Sequence, residues 1–261
     1  MPVSRSNPNE GVRNPSTRWF EWAGGKDGGF VRYYDKEKKE NVVLELPFVF
    51  ILLDELSTVR GWHDPSDSGI YCNEVRDTRQ DTLVVKSFKG GELASGLYAQ
   101  IRDRVKAIGG HFQSSTYITF KSDDKNLALG NLAFKGAALN AWVEFKNAHR
   151  SDVYKQAVSI FGYTDARKGS TDYRIPKFAL KPIAPETDTA AIEIDRELQA
   201  YLTGYLNKSR DDQAATTATT REDPTPVGQE TMLERMAKAE ADRLASQEVE
   251  EADFVDDDIP F

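Results

Sequence analysis

The sequence predicts a mainly β protein of the α+β class, with added helices and a disordered acidic tail. Three observations lead to this prediction. Short segments alternate apolar and polar residues and are bounded by glycine, proline, asparagine or aspartate. A helical spacing of apolar residues replaces this alternation in only a few places. After Ser209 the chain becomes polar, poor in aromatic residues and rich in acidic ones.

The first half of the body is predicted to consist of strands. Residues 17–34 are predicted to form a hairpin, because aromatic residues flank a glycine-rich connection. Residues 41–53 are predicted to form one long apolar strand, with a bend at Pro47. Further strands are expected over residues 69–75 and 81–88.

Helices alternate with strands in the second half of the body. A helix is predicted over residues 91–110, where apolar residues recur at helical spacing and two glycines end the segment. Strands over 111–121 and 127–136 precede a second helix over 137–149. The remaining predicted elements are strands over 157–169 and 172–183 and a helix over 187–207.

Composition divides the chain into five segments. They are a flexible N-terminus (1–16), a folded body (17–208), a flexible linker (209–229), a short helix (230–250) and an acidic tip (251–261). Strands around an inserted helix suit a small β-barrel of the OB type, and a generic α+β sheet is the alternative.

Composition also limits the class of protein. The single cysteine, Cys72, excludes an internal disulfide framework and a cysteine-cluster zinc site. The chain has no apolar run of about 18 residues, so no membrane span is expected. The polar start lacks the apolar core of a signal peptide. A reducing cytoplasm is therefore the expected location.

We expect no enzyme, and neither a cofactor nor a metal. The pairs His63 with Asp64 and His111 with Cys72 could be imagined as catalytic, but neither has a supporting local motif. The glycine-rich segment over 24–29 lacks the spacing of a phosphate-binding loop. The aspartates of the tail lack the fixed geometry that a catalytic metal requires.

Charge is unevenly distributed along the chain. The formal net charge of −8 by itself disfavours binding to nucleic acid. Residues 211–261 hold 15 acidic and 4 basic residues, a net charge of −11. Residues 1–210 hold 30 basic and 27 acidic residues, a net charge of +3. A mildly basic body therefore carries a strongly acidic tail.

Basic and aromatic residues interleave on several predicted strands. Unpaired bases stack on aromatic rings, while lysine and arginine neutralise the phosphates. Alternation along a strand turns about half of these rings toward the core, so the core is an equally good assignment for any single ring. The candidates for contact with single-stranded DNA are Arg18, Trp19, Trp22, Arg32, Tyr33, Tyr34, Lys86, Phe88, Lys89, Tyr117, Lys121, Lys135, Tyr173 and Arg174.

The chain ends in the segment DFVDDDIPF, which is acidic and then apolar. Neighbouring aspartates favour an extended chain, and a proline cannot continue a helix. The last residue carries both an aromatic ring and the terminal carboxylate, which suits a partner with an apolar pocket and a basic rim. A merely solubilising tail is the alternative. The predicted partner-binding residues are Asp256, Asp257, Asp258, Ile259, Pro260 and Phe261.

The ending DDDIPF resembles the C-terminal tip of bacterial single-stranded-DNA-binding (SSB) proteins. The body is longer than theirs, lacks their Gly/Gln-rich linker and inserts a helix, a layout more similar to phage-encoded SSB proteins. The resemblance implies an OB-fold domain that binds and protects single-stranded DNA without sequence preference. It also implies a tail that docks replication, recombination and repair enzymes, in the bacterial cytoplasm during phage infection.

Two other functions share some of these features. A recombination mediator or strand-annealing protein would have the same binding and the same tail, but would accelerate pairing of complementary strands. An adaptor that does not bind DNA would use the docking peptide alone. The sequence leaves open whether the protein forms a homo-oligomer.

Overall fold

The computed structural model describes the backbone of residues 14–219 and the side chains of residues 14–207. Residues 1–13 and 220–261 lie outside this part of the chain. Most of the predicted flexible N-terminus, the second half of the predicted linker, the predicted short helix and the acidic tip therefore lie outside the described residues.

Eleven strands and three α-helices make up the described part of the chain, which confirms a mainly β protein of the α+β class. The strands are β1 (Arg18–Ala23), β2 (Phe30–Asp35), β3 (Glu40–Leu44), β4 (Phe48–His63), β5 (Ser68–Cys72), β6 (Leu83–Ser87), β7 (Gly91–Gly96), β8 (Gly110–Lys121), β9 (Leu127–Ala133), β10 (Ala157–Lys168) and β11 (Thr171–Lys181). The helices are α1 (Tyr98–Ala107), α2 (Ala137–Ala148) and α3 (Pro185–Thr219). The chain divides into two compact units, residues 1–213, which hold all these strands, and residues 214–261.

The longest strand, β4, organises the sheet. Along most of its length it pairs in antiparallel fashion with β8. On its other edge it pairs with β10 near Phe50 and with β5 near Trp62. A β-bulge between Leu52 and Asp54 interrupts the β4–β8 ladder, and such bulges bend a strand and increase its twist. β4 therefore joins the part of the sheet that contains β10 to the part that contains β5.

Further strands extend the sheet on both sides of β4 and β8. β9 pairs with β8 and, in parallel, with β1. β1, β2 and β3 form an antiparallel meander, which confirms the predicted hairpin over residues 17–34. β5, β6 and β7 form a second meander, and β10 pairs with β11. Within residues 14–219 no continuous ladder closes the sheet, but a single bridge joins Gly25 to Tyr173 of β11.

Aromatic rings fill the inner face of the sheet, beneath α2. Trp142 of α2 is fully buried, and its ring centroid lies 5.9 Å from that of Phe50 and 5.4 Å from that of Phe134. Phe20 of β1 packs edge-to-face on Phe120 of β8 at 4.8 Å. Such pairs contribute about 0.5–1.5 kcal/mol each beyond the area that they bury. This cluster joins β1, β4, β8 and α2 into one core.

The segment 41–53, predicted as one strand, contains parts of two. β3 ends at Leu44 and β4 begins at Phe48. Pro47 lies between them and has no backbone N–H to donate to a ladder, so the pairing stops there. The second strand continues to His63, ten residues beyond the predicted end.

The predicted helix over residues 91–110 is a strand in its first part. β7 occupies the first six residues, and α1 begins only at Tyr98. Gly91 and Gly96 have φ angles of +73° and +148°, which glycine adopts easily and an α-helix does not contain. The free edge of β6 supplies backbone partners for this segment, so tertiary pairing overrides the apolar spacing.

The last helix is longer than its predicted range of 187–207. It begins at Pro185, a residue well suited to the first helical position, and continues to Thr219. Residues 209–219, the first half of the predicted linker, are therefore helical. Alanines are frequent after residue 213, and alanine is the best helix former, which explains the continuation.

α3 packs on the outer face of the sheet, opposite the aromatic rings. Its buried residues Leu198 and Leu202 contact Leu56 of β4, Tyr117 of β8 and Leu129 of β9. Both faces of β8 are covered as a result, and the strand is buried over most of its length. The body is thus layered as helix, sheet and helix at this point.

We expect Leu198→Ala to lower the free energy of unfolding by about 2–5 kcal/mol, because it leaves a cavity in the α3–sheet interface. Ile192→Ala is the matched control, since Ile192 lies on the same helix and is 47% exposed. That variant should change stability by no more than about 0.5 kcal/mol. Urea denaturation of both variants measures the difference. Equal losses would contradict the packing of α3 on the sheet.

Candidate nucleic-acid interface

A buried polar cluster lies beneath α3. The carboxylate of Glu74 accepts hydrogen bonds from the hydroxyls of Ser115 at 2.5 Å and Tyr117 at 2.6 Å. The backbone N–H of Glu74 donates to the hydroxyl of Tyr205 on α3 at 2.8 Å. Burial and then the charge of Glu74 raise the pKa of Tyr117, so its hydroxyl stays protonated as a donor. The cluster ties α3 to β8 and to the loop after β5.

Two of the rings predicted to stack on bases lie in the core instead. Trp22 is 4% exposed and Tyr117 is fully buried. The indole N–H of Trp22 donates to the backbone carbonyl of Arg174 at 2.9 Å, and Tyr117 faces α3. Both side chains therefore lack the exposed ring face that stacking on a base requires. Tyr117 stands on the outer face of β8, and α3 covers that face.

The outer face of β1 and β2 exposes two of the predicted rings. Trp19 is 38% exposed and Tyr34 is 55% exposed. The ammonium of Lys36 lies 5.5 Å from the centroid of the Trp19 ring. Arg32 forms an ion pair with Glu21 at 2.6 Å. We call Trp19, Arg32, Tyr34 and Lys36 the β1–β2 surface.

Arg18 and Tyr33 contact each other on the opposite face of β1 and β2. The guanidinium carbon of Arg18 lies 4.7 Å from the centroid of the Tyr33 ring, and Arg18 also pairs with Asp123. The Tyr33 ring packs edge-to-face on Phe20 at 5.7 Å. These contacts within the body occupy both side chains, so neither belongs to the β1–β2 surface.

Arg174 holds the β10–β11 hairpin against the connection between β1 and β2. Its backbone N–H donates to the carbonyl of Gly24 at 2.7 Å. Its guanidinium lies 4.6 Å above the centroid of Tyr163 and pairs with Asp165 at 3.1 Å. Gly29, with φ of +90°, permits this packing, because a Cβ there would lie 2.6 Å from the Tyr163 ring. Arg174 therefore has a structural role.

The remaining predicted residues do not form one group. Tyr173 is partly buried on the hairpin. Lys121 is exposed at the end of β8, and Lys135 is exposed just after β9. Lys89 is exposed in the turn between β6 and β7, where it forms an ion pair with Asp67 at 3.8 Å.

Three large aromatic side chains are exposed together on one face of β4, β5 and the turn after β6. Trp62 is 53% exposed, Tyr71 37% and Phe88 75%. The rings of Tyr71 and Phe88 stack, with centroids 4.7 Å apart and planes inclined by 28°. Trp62 lies opposite Gly69 in the β4–β5 ladder, and the N–H of Phe88 donates to the carbonyl of Gly69 at 3.2 Å. Gly69 therefore lies between Trp62 and Phe88.

Two basic residues lie on the same face. Lys86 stands directly opposite Tyr71 in the β5–β6 ladder. Arg60 is exposed and lies two residues before Trp62, which places both on one face of β4. We call Arg60, Trp62, Tyr71, Lys86 and Phe88 the aromatic platform.

The reverse face of these strands packs on α1. Val59, Ile70 and Val85 alternate with platform residues and are buried against Ile101 and Val105 of the helix. Because the core requires these residues on one face, the register of the strands fixes the platform residues on the other. Packing on α1 therefore holds in place the strands that carry the platform residues.

Sequence reasoning identified Lys86 and Phe88 but missed Arg60, Trp62 and Tyr71. The available signal was alternation: the apolar residues Val59 and Ile70 are followed by Arg60 and Tyr71. The prediction ended the strand before this region, so Arg60 and Trp62 were not assigned to a sheet face.

The residues considered for catalysis have ordinary structural surroundings. The Nδ1 atom of His63 lies 2.7 Å from the hydroxyl of Ser66. Burial raises the pKa of Cys72 to about 12, so the thiol is protonated at neutral pH. Among the residues that the structure describes, no group of three or more His, Cys, Asp or Glu could hold a metal ion.

No helix in the described region is both long and apolar enough to cross a membrane. Comparisons of the chain with family models, with curated proteins and with solved structures find no match.

We expect Tyr117→Phe to lower the free energy of unfolding by about 1–3 kcal/mol, because the buried carboxylate of Glu74 loses a hydrogen-bond donor. Tyr34→Phe is the matched control, since that side chain is 55% exposed. It should be neutral within about 0.5 kcal/mol. Thermal and urea unfolding test both variants, and a neutral Tyr117→Phe would contradict the proposed role of the cluster.

Proposed function

We propose that this protein binds single-stranded DNA without sequence preference, through an OB-type body enlarged by extra strands and helices. We further propose that it recruits replication, recombination or repair enzymes through its acidic C-terminal tip. The observation that carries the proposal is the exposure of large aromatic rings beside cations on two sheet faces of the body. Rings of this kind stack on any base, while cations neutralise the phosphates.

The order of the strands supports the OB assignment. β4, β8 and β9 are antiparallel neighbours, and β10 returns through α2 to lie beside β4. The spatial order β10-β4-β8-β9 is that of a Greek key, on which the OB-fold is built. The bridge between Gly25 and Tyr173 brings β11 next to the end of β1, itself the partner of β9. In a partly open barrel of this kind, β4, β8, β9, β10 and β11 would be the five strands in order. The inserted strand β1 would then lie between β9 and β11, which accounts for these pairings.

The distribution of the rings also supports a binding surface. Several large aromatic residues of the body pack in the core beneath α2, where Trp142 and Phe134 are fully buried. Those of the β1–β2 surface and the aromatic platform remain exposed although they stand on regular sheet faces. Contiguous exposed apolar surface on a folded protein marks interaction sites. Lys36 and Lys86 beside these rings favour an anionic, base-containing ligand.

The charge distribution supports the proposed role of the tail. A tail with a net charge of −11 is repelled by nucleic acid and attracted to basic protein surfaces. Its apolar ending provides an anchor for an apolar pocket, and the aspartates steer the encounter. In this proposal the body binds DNA and the tail binds partner proteins.

We expect the protein to bind a labelled single-stranded oligonucleotide more tightly than the duplex of the same sequence, because bases in a duplex are not free to stack. Affinity should fall linearly with salt on a double-logarithmic plot, as contacts to phosphates release counterions. Anisotropy titrations at several salt concentrations provide both results. Equal affinity for the two forms, or no binding to either, would refute the proposal.

We expect Phe261→Ala to abolish capture of partner enzymes from a bacterial lysate and to leave binding to single-stranded DNA unchanged. The ring is the proposed anchor, and the charge of the tail is the same in the variant. Phe254→Ala is the matched control, because it removes a ring from the tail but keeps the Ile-Pro-Phe ending. Affinity purification with mass spectrometry compares the three proteins. Identical sets of captured proteins would show that the ending is not a docking peptide.

A further inference from the structure

The outer face of β8 and β9, on which an OB-fold typically holds an oligonucleotide, is occupied in this protein. Leu198 and Leu202 of α3 are buried there against Tyr117 and Leu129. The Glu74 cluster adds a hydrogen bond to Tyr205 at the far end of the contact. Bases cannot reach that face while α3 is in place, so a DNA-binding body must use another surface.

From the proposed function and this obstruction, we infer that the aromatic platform is the principal stacking site for single-stranded DNA. It lies on β4 and on the strands inserted between β4 and β8, beyond the part of the sheet that α3 covers. Trp62, Tyr71 and Phe88 supply three rings, and Arg60 and Lys86 stand beside them. The inference rests on the proposed function and adds to it the site at which the bases bind.

The platform is arranged in advance for flat ligands. The rings of Tyr71 and Phe88 already stack on each other at 4.7 Å, which limits their rotation. A Cβ on Gly69 would lie 3.3 Å from the Phe88 ring, so glycine at this position lets the ring lie close over β5. Neighbouring strands are about 4.8 Å apart, which separates the backbones of Trp62 and Phe88 by roughly 10 Å across β5. Rings held in this way lose little conformational entropy when a base stacks on them.

The charges on the platform favour nucleic acid as the occupant, but only moderately. Arg60 and Lys86 are basic, whereas Glu92 lies opposite Lys86 at the edge of the sheet and Lys89 is paired with Asp67. Stacking should therefore provide most of the binding at this site, and other cations of the body should provide most of the phosphate contacts. The loss caused by removing a ring should consequently be nearly independent of salt.

The test measures binding of a fluorescent oligothymidylate to the full chain by anisotropy. Phe88→Ala and Trp62→Ala should each weaken binding roughly 5- to 100-fold, by a similar factor at low and high salt. Phe88→Trp should retain binding, whereas Phe88→Leu, which keeps apolar bulk without a ring, should lose it. Phe161→Ala is the matched control, because Phe161 is 52% exposed on β10 and should leave affinity unchanged. In addition, Trp62→Phe should reduce the quenching of tryptophan fluorescence by DNA.

The outcomes separate this inference from the proposed function. If the wild-type protein binds single strands and the platform variants bind equally well, the platform assignment is overturned and the proposed function stands. If the wild-type protein does not bind single strands, the proposed function fails and the platform assignment fails with it. If Phe88→Ala changes only the oligomeric state in sedimentation, the platform is an interface between copies of this chain, which also overturns the assignment.

Discussion

The packing of α3 on the outer face of β4, β8 and β9 is the constraint on which the rest of the structure depends. With α3 in place, the centre of the sheet is buried on both faces. It also decides which surfaces remain for a ligand, because the face that an OB-fold would offer is closed. Among the described residues, the two ends of the sheet, at the β1–β2 surface and at the aromatic platform, expose aromatic rings beside cations.

Apolar burial and polar contacts make different contributions to this packing. Burying a leucine such as Leu198 contributes about 1.5–3 kcal/mol, while a typical hydrogen bond contributes about 0.5–1.5 kcal/mol net. The apolar contacts therefore provide most of the stability. The Glu74 cluster instead provides position. Its carboxylate is held by donors on β8, and its backbone N–H donates to the hydroxyl of Tyr205 on α3. The helix is thus held at one defined position on the sheet.

Much of the fold was accessible from the sequence, since periodicity reports which face of an element is buried. The β1–β2 hairpin and α2 followed directly from it. The strand β7 did not, because its apolar spacing is compatible with a helix and the deciding factor was the free edge of β6. The site was only partly predictable for a related reason. Phe88 was identified from its basic neighbours, whereas the burial of Tyr117 depends on a helix eighty residues away in the sequence.

Photo-crosslinking tests the central claim most directly, because it reports where bases lie on the protein. An oligonucleotide that contains 5-iododeoxyuridine would be irradiated in complex with the full chain, and the crosslinked peptides identified by mass spectrometry. The account predicts crosslinks to peptides that contain Trp62, Tyr71 or Phe88. Crosslinks confined to β8, β9 and α3, or the absence of any crosslink to the body, would contradict it.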